Sequence, residues 1–264
     1  MTKKHDAIIQ SLFYDGSDLD KNDAQTLLAR HLNAADDGDL YLEHCESEYI
    51  SRDDGRIRNA AYDCLHGFGV RGVKGDFCCL SHSSDFREDH LKTALSTIQG
   101  AIQGYDGVHD IHPVQSPATN APDYYSPHNP LHDHGFDEKV TLLGEIDAFA
   151  RANDPRVVQV SCSISGEWGA VSVLRPDADP VHDIRPLVRM DVSVVVEQNG
   201  IRETGFTAWG GRHDYSDFFK PETWKQAVHK AIKQAEVKLS AIPSPGGVMD
   251  VVMGPGWTGV MLHE

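Results

Sequence analysis

Apolar positions along the chain change period several times, and each change predicts an element. Over 20–32, Ala24, Leu27, Leu28 and Leu32 recur at three- and four-residue spacing behind an acidic start, which predicts an amphipathic helix. From about Asp39 the period drops to two. Leu40, Leu42 and His44 alternate with Tyr41, Glu43 and Cys45, as expected of a strand with one buried face. Asp54-Gly55 marks a tight hairpin before a second run over 57–64, and two further strands are expected near 67–73 and 76–81. Helical spacing returns over 85–103 with Phe86, His90, Leu91, Leu95, Ile98 and Ile102.

The stretch 104–134 has no apolar period and holds Pro113, Pro117, Pro122, Pro127 and Pro130, so it reads as a linker or long surface loop. A helix is expected over 137–153, with Val140, Leu142, Leu143, Ile146 and Ala150 on a wide apolar face and Asp154-Pro155 as its stop. Strand-like runs follow at 157–164, 169–174, 187–198 and 201–208, the last two joined by Asn199-Gly200, which predicts an antiparallel sheet. Pro221 opens a helix over 221–241 carrying Trp224, Ala227, Val228, Ala231, Ala235 and Leu239 on one side. A short strand at 249–253, a Gly254-Pro255-Gly256 turn and the start of a helix at 257–264 complete the pattern. The fold class expected is α+β: two small domains with antiparallel sheets and packed helices, 1–104 and 135–241. A Pro/His-rich linker, 105–134, joins them, and 242–264 supplies the first strand and turn of a truncated third domain.

Composition narrows the function. A chain of 264 residues that is 40% hydrophobic and 24% charged is long enough for a sizeable core, which excludes wholesale disorder. Its 24 Lys and Arg against 40 Asp and Glu give a formal charge of −16, which speaks against a nucleic-acid partner held by phosphate contacts. No run approaches the ~18 apolar residues of a membrane span and no apolar leader follows Met1, so a cytoplasmic protein with no membrane partner is expected. Five cysteines, an odd number without C-x-x-C spacing, argue against a disulfide framework or zinc ribbon and are expected to be reduced and buried.

Several motifs invite chemistry, each with a plainer reading beside it. Gly67-Phe68-Gly69-Val70-Arg71-Gly72 matches G-x-G-x-x-G, yet Val73 to Cys78 after it reads as strand and not helix, so a glycine-rich twisted strand or a tight hairpin is favoured over a nucleotide site. His109, His112, His128, His132 and His134 could hold zinc or nickel, or form a solvated polar loop. No G-x-S-x-G nucleophile elbow occurs, and Cys78, Cys79 and Cys162 sit in apolar surroundings that suit inert thiols. Gly210-Gly211-Arg212 could offer backbone amides and a guanidinium to a bound peptide, or be a turn with a surface arginine. His263-Glu264 carries no weight alone, but it follows a strand-turn-helix entry, and a His-Glu pair on a helix is how many metallopeptidases begin their site.

The run from Gly254 through Trp257 and Leu262 to His263-Glu264 resembles the metal-site entry of the TldD branch of the TldD/PmbA metalloprotease family, whose motif continues His-Glu-x-x-x-His. Asp53-Asp54-Gly55-Arg56 with Gly67-Phe68-Gly69-Val70-Arg71 resembles that family's N-terminal domain. Its central domain is matched by Glu145 to Arg151, Asp154 to Val157, Arg185 to Arg189, Val194 to Gln198 and Gly210-Gly211-Arg212. The resemblance implies a cytoplasmic Zn2+-dependent peptidase acting on extended or unfolded peptides through metal-activated water. It also implies a heterodimer with a PmbA/TldE-like subunit, a homo-oligomer being the other arrangement. On this resemblance His263 is the first zinc ligand and Glu264 the catalytic base, with Gly210, Gly211 and Arg212 near substrate. The second histidine and a later cysteine ligand have no counterpart in the sequence, so the chain alone is expected to lack activity and to leave zinc unbound. The rival reading is a catalytically incomplete peptide-binding or assembly module. Val251, Val252, Val260, Met261 and Leu262 are then expected to lack packing partners.

Overall fold

Alternation along one long strand organises the molecule. In β1 (Asp37–Asp53) the even-numbered side chains Leu40, Leu42 and Ile50 are buried, while the odd-numbered Tyr41 and Tyr49 reach solvent. Such period-two patterning commits one face of a sheet to a core. The computed structural model of the chain describes residues 3–15, 17–105, 124–256 and 258–263. In it β1 lies between β2 (Arg56–Lys74) and β4 (Val157–Arg175), within a six-stranded antiparallel sheet ordered β3-β2-β1-β4-β5-β6. The outer strands are β3 (Phe77–Ser83) on one side and β5 (Ala178–Gln198) followed by β6 (Ile201–Gly211) on the other.

The helices lie over the even-numbered face in two groups. α1 (Lys3–Phe13), α2 (Lys21–His31) and α3 (Glu88–Gln103) form the first, and α4 (Phe136–Asn153) and α5 (Pro221–Leu239) the second. Three of them begin at a local signal. The Asp20 carboxylate accepts from the backbone N–H of Asn22 and Asp23 at the start of α2, the Glu138 carboxylate accepts from Gly135 N–H ahead of α4, and Pro221 fills the first turn of α5. Close approach needs glycine at two places. A Cβ on Gly72 would fall 2.5 Å from Ile98 Cγ2 of α3, and one on Gly205 would fall 1.7 Å from the Ala231 carbonyl oxygen of α5.

The α+β class stands as read, and both hairpin signals form tight turns: Asp54 and Gly55 have φ of 46° and 81°, Asn199 and Gly200 54° and 79°. The two groups of strands, expected in separate sheets, are joined by the β1–β4 ladder, which pairs Leu40 with Leu174 through to Asp53 with Ser161. Strands expected as pairs are single. β2 absorbs the runs at 57–64 and 67–73, and β4 those at 157–164 and 169–174, because an extended glycine inside a ladder does not interrupt it. β5 begins nine residues before the expected start at 187. Pro180 and Pro186 lie where only β4 pairs with it, since pairing to β6 starts at Val188, so a missing N–H is tolerated on the open side. Residues 249–253 have no regular structure, since a strand needs a ladder partner and they make none. α6 (Thr258–His263) follows them.

Candidate functional site

The even face of β1 turns polar at its middle: His44, Glu46 and Glu48 stand between buried Leu42 and Ile50. Across the ladder His44 faces His66, Glu46 faces Cys64 and Glu48 faces Tyr62, so one patch of sheet gathers two imidazoles, a thiol, a phenol and two carboxylates. The described residues 127–132 border this patch. Trp168 Nε1 donates to the Pro127 carbonyl at 3.3 Å, and Asn129 Nδ2 donates to Glu46 Oε2 at 3.0 Å.

Glu46 is the hub. Tyr62 OH donates to Oε2 at 2.7 Å, His44 Nε2 lies 3.2 Å from Oε1 and His132 Nε2 lies 3.3 Å from Oε2. Burial pushes the Glu46 carboxyl up, but the hydrogen bonds from Tyr62, His44 and Asn129 outweigh it and hold its pKa below the usual carboxylate range. The same bond, with Glu46's charge behind it, raises the Tyr62 phenol to about 12. Next along β1, Glu48 Oε1 receives Lys139 Nζ at 2.5 Å and Tyr215 OH at 2.7 Å. Lys139, on α4, is 1% exposed, donates also to the Leu131 carbonyl at 2.9 Å, and lies 4.8 Å from the centre of the Tyr215 ring. Burial first, and the Glu48 bond second, push the Tyr215 hydroxyl well above its ordinary range. A charge this buried is retained only with partners on every side, so this trio clamps β1 to α4 and the 215–217 turn.

The residues singled out by sequence are not brought together here. Gly210 and Gly211 end β6, opposite Arg189 and Val188, and a Cβ on Gly210 would lie 2.1 Å from the Val188 carbonyl oxygen. Arg212 is exposed, with its guanidinium 5.2 Å from the centre of the Tyr125 ring. His263 is exposed on α6, and among the described residues no group of three or more potential ligands includes it. One imidazole falls short of the roughly three protein ligands of a catalytic zinc, so the residues present at His263 do not by themselves fit the metal. Glu264 lies outside the described residues. Val251, Val252, Val260, Met261 and Leu262 are all exposed.

The loop histidines disperse: His128 pairs with Asp133, His132 with Glu46 and His134 with Glu138, the last ring stacking on Phe219 at 3.6 Å. His109 and His112 lie outside the described residues. Gly67 to Gly72 are interior to β2, as the strand reading requires. All five cysteines are free, but only Cys162 is buried. Cys64 and Cys78 are exposed and Cys45 and Cys79 are intermediate. Sequence reasoning missed the patch itself. Its signal, His44 two-phase with Glu46 on one strand and Cys64 with His66 on the next, becomes visible only once the ladder register is known.

Comparison with known proteins fits this architecture. Residues 129–239 match the model of the PmbA/TldA metallopeptidase central domain. The chain is 36% identical over 233 residues to a protein named metalloprotease TldD homolog from Haemophilus influenzae, covering 87% of this chain and 48% of that relative. It is 33% identical over 235 residues to the protein of the same name from Buchnera aphidicola subsp. Schizaphis graminum, with the same coverage of 87% and 48%. The crystal structure of TldE from Thermococcus kodakarensis superposes with a TM-score of 0.63 at 16% identity, covering 83% of this chain and 48% of that one, a likeness of fold. The chain spans about half the length of the curated relatives it matches. Identity across most of the chain, the matched central domain and the shared fold show that it belongs to the TldD/PmbA family.

Proposed function

We propose that this chain forms the N-terminal and central portion of a TldD-type zinc metallopeptidase acting on extended or unfolded peptides. The observation that carries the reading is the 36% identity over 233 residues to a relative named as a metalloprotease. In this reading residues 1–104 and 135–241 are its first two domains, and 242–264 opens the metal-bearing one. His263 contributes one zinc ligand and Glu264 the base, and the remaining ligands come from outside the described residues. Five free thiols suit a reducing compartment such as the cytoplasm.

This chain's own part is to hold the peptide. On β6 the Thr204 carbonyl and the Phe206 N–H face away from β5, where Lys238 Nζ and Gln234 Oε1 of α5 meet them at 2.6 and 3.2 Å. The alternation of an antiparallel ladder puts Ala208 and Gly210 in the same phase, so an extended peptide can add to this edge as a further strand, with Arg212 beside it to meet a carboxylate. The test is casein hydrolysis by the whole protein that carries this chain, together with a TldE-like subunit, with and without chelator. Chelator-sensitive cleavage that disappears in Glu264→Gln is expected, and cleavage that survives either treatment overturns the reading.

The open, odd-numbered face of the sheet favours a second reading, an assembly module. Tyr49, Leu65 and Leu187 are exposed there, and Tyr49 and Leu187 line a shallow hollow of ≈ 290 Å³. A PmbA/TldE-like subunit or a second copy of this chain would cover that face. Light scattering on the chain, alone and mixed with such a subunit, tests it. A monomer in both samples ends this reading, and a complex lost in Leu65→Asp supports it.

A further inference from the structure

We propose that the sheet patch between the two helix groups binds one divalent transition-metal ion through His44, Cys64 and His66, a site separate from His263. Among the described residues these three form the only group of three potential ligands whose donor atoms all lie within 4.8 Å of one another. The ladder sets them side by side. His44 and His66 are directly opposed, their rings 6.4 Å apart and within 13° of parallel, and Cys64 is two residues from His66 on the same face.

The spacing suits a metal better than a direct bond. His44 Nε2 lies 3.9 Å from Cys64 Sγ, too far for a strong hydrogen bond. Two ligands on a tetrahedral zinc, with Zn–N near 2.05 Å and Zn–S near 2.3 Å, stand about 3.6 Å apart. A few tenths of an ångström of side-chain rotation closes that gap, and Cys64 and His66 are exposed and free to make it. Glu46 Oε1, 3.2 Å from His44 Nε2, is placed to give the fourth ligand once His44 binds as its Nδ1–H tautomer.

The surroundings hold the donors in place. Trp168 packs edge-on against His44 with centroids 6.1 Å apart, and Phe86 lies 5.5 Å from His66, so each ring is braced on one side by an aromatic neighbour. Tyr62, Asn129 and His132 in turn fix Glu46, the kind of outer support that orients metal ligands. Two imidazoles and a thiolate select Zn2+, Co2+ or copper over Mg2+ or Ca2+, which prefer oxygen. Binding breaks the Cys64 S–H bond, forms a metal–sulfur bond and releases the proton to solvent, so affinity rises with pH.

The test is titration of the reduced, metal-free 264-residue chain with Co2+, followed by Zn2+ displacement. One equivalent of Co2+ with a sulfur-to-cobalt charge-transfer band that Zn2+ removes is expected. Cys64→Ser should abolish the band and weaken Zn2+ binding by about 10–100-fold or more, the scale already seen for loss of outer-shell partners. His44→Gln should weaken binding on the same scale, whereas His263→Ala should leave band and affinity unchanged. No saturable Co2+ binding by the wild-type chain, a band that persists in Cys64→Ser, or one lost in His263→Ala overturns the proposal.

Discussion

Lys139 and Glu48, ninety-one positions apart, meet with Nζ 2.5 Å from Oε1, and that contact ties β1 to α4. Because Lys139 is 1% exposed, removing either partner strands a charge in the core. Lys139→Met is expected to destabilise the fold by about 3–5 kcal/mol, and Lys139→Met with Glu48→Leu to recover most of that loss. Urea denaturation of the three proteins measures both effects, and equal losses in the single and double variants would contradict the pairing.

Gly205 is where α5 rests on β6. A methyl group there meets the Ala231 carbonyl oxygen at 1.7 Å, backbone that cannot swing aside. Gly205→Ala should therefore cost about 1–3 kcal/mol or more through overpacking. Gly69→Ala, where nothing lies within 4 Å of the added Cβ, serves as the matched control and should change the denaturation midpoint little.

Glu46 makes acid stability depend on one hub. Its pKa in the fold is held below the ordinary carboxylate value, so the unfolded chain takes up the proton more readily. The resulting stabilisation is complete above the unfolded-state pKa and is lost as pH falls through the folded-state one. Tyr62→Phe removes a 2.7 Å bond to Glu46, raises that carboxyl's pKa and flattens the acid limb of stability against pH. An unaltered limb in Tyr62→Phe would show that the bond does not set the shift.

The five thiols should separate by reactivity. Burial raises the Cys162 thiol to about 12, and its Sγ donates to the Leu143 carbonyl at 3.5 Å. Cys64 and Cys78 stand exposed. Iodoacetamide labelling of the native, metal-free chain near pH 8, read by peptide mass mapping, should modify these two first and Cys162 only on unfolding. Early modification of Cys162 would contradict its burial.

Local signals in the sequence were sufficient for most elements, because Leu40 and Leu42, Leu91 and Leu95, or Trp224 and Val228 each repeat at the period of the structure they enter. Association across distance was not legible: nothing local in β1 states that Leu42 lies beside Ser172. α1, with Ile9 and Phe13 buried, has no counterpart among the elements expected from the sequence. The patch failed for a sharper reason. Counting back from the Asp54-Gly55 turn, where Asp53 pairs with Arg56, sets His44 opposite Leu65. The register shift beside Ser51 and Arg52 adds one residue, sets His44 opposite His66, and so moves Cys64 and His66 onto its face. Family resemblance supplied His263 and Glu264, which no local period marks.

The β1–β4 ladder also governs how the chain reaches this state. It zips residues 40–53 to residues 161–174, across more than a hundred positions, whereas β1–β2 and β5–β6 close through two-residue turns. The hairpins can form on their own, but the central seam must wait for a loop closure of high entropic cost, which makes it the slow event of folding. Until that seam closes, β1 and β4 each present a long unpaired edge, and nascent chains are most exposed to mispairing with one another at that stage.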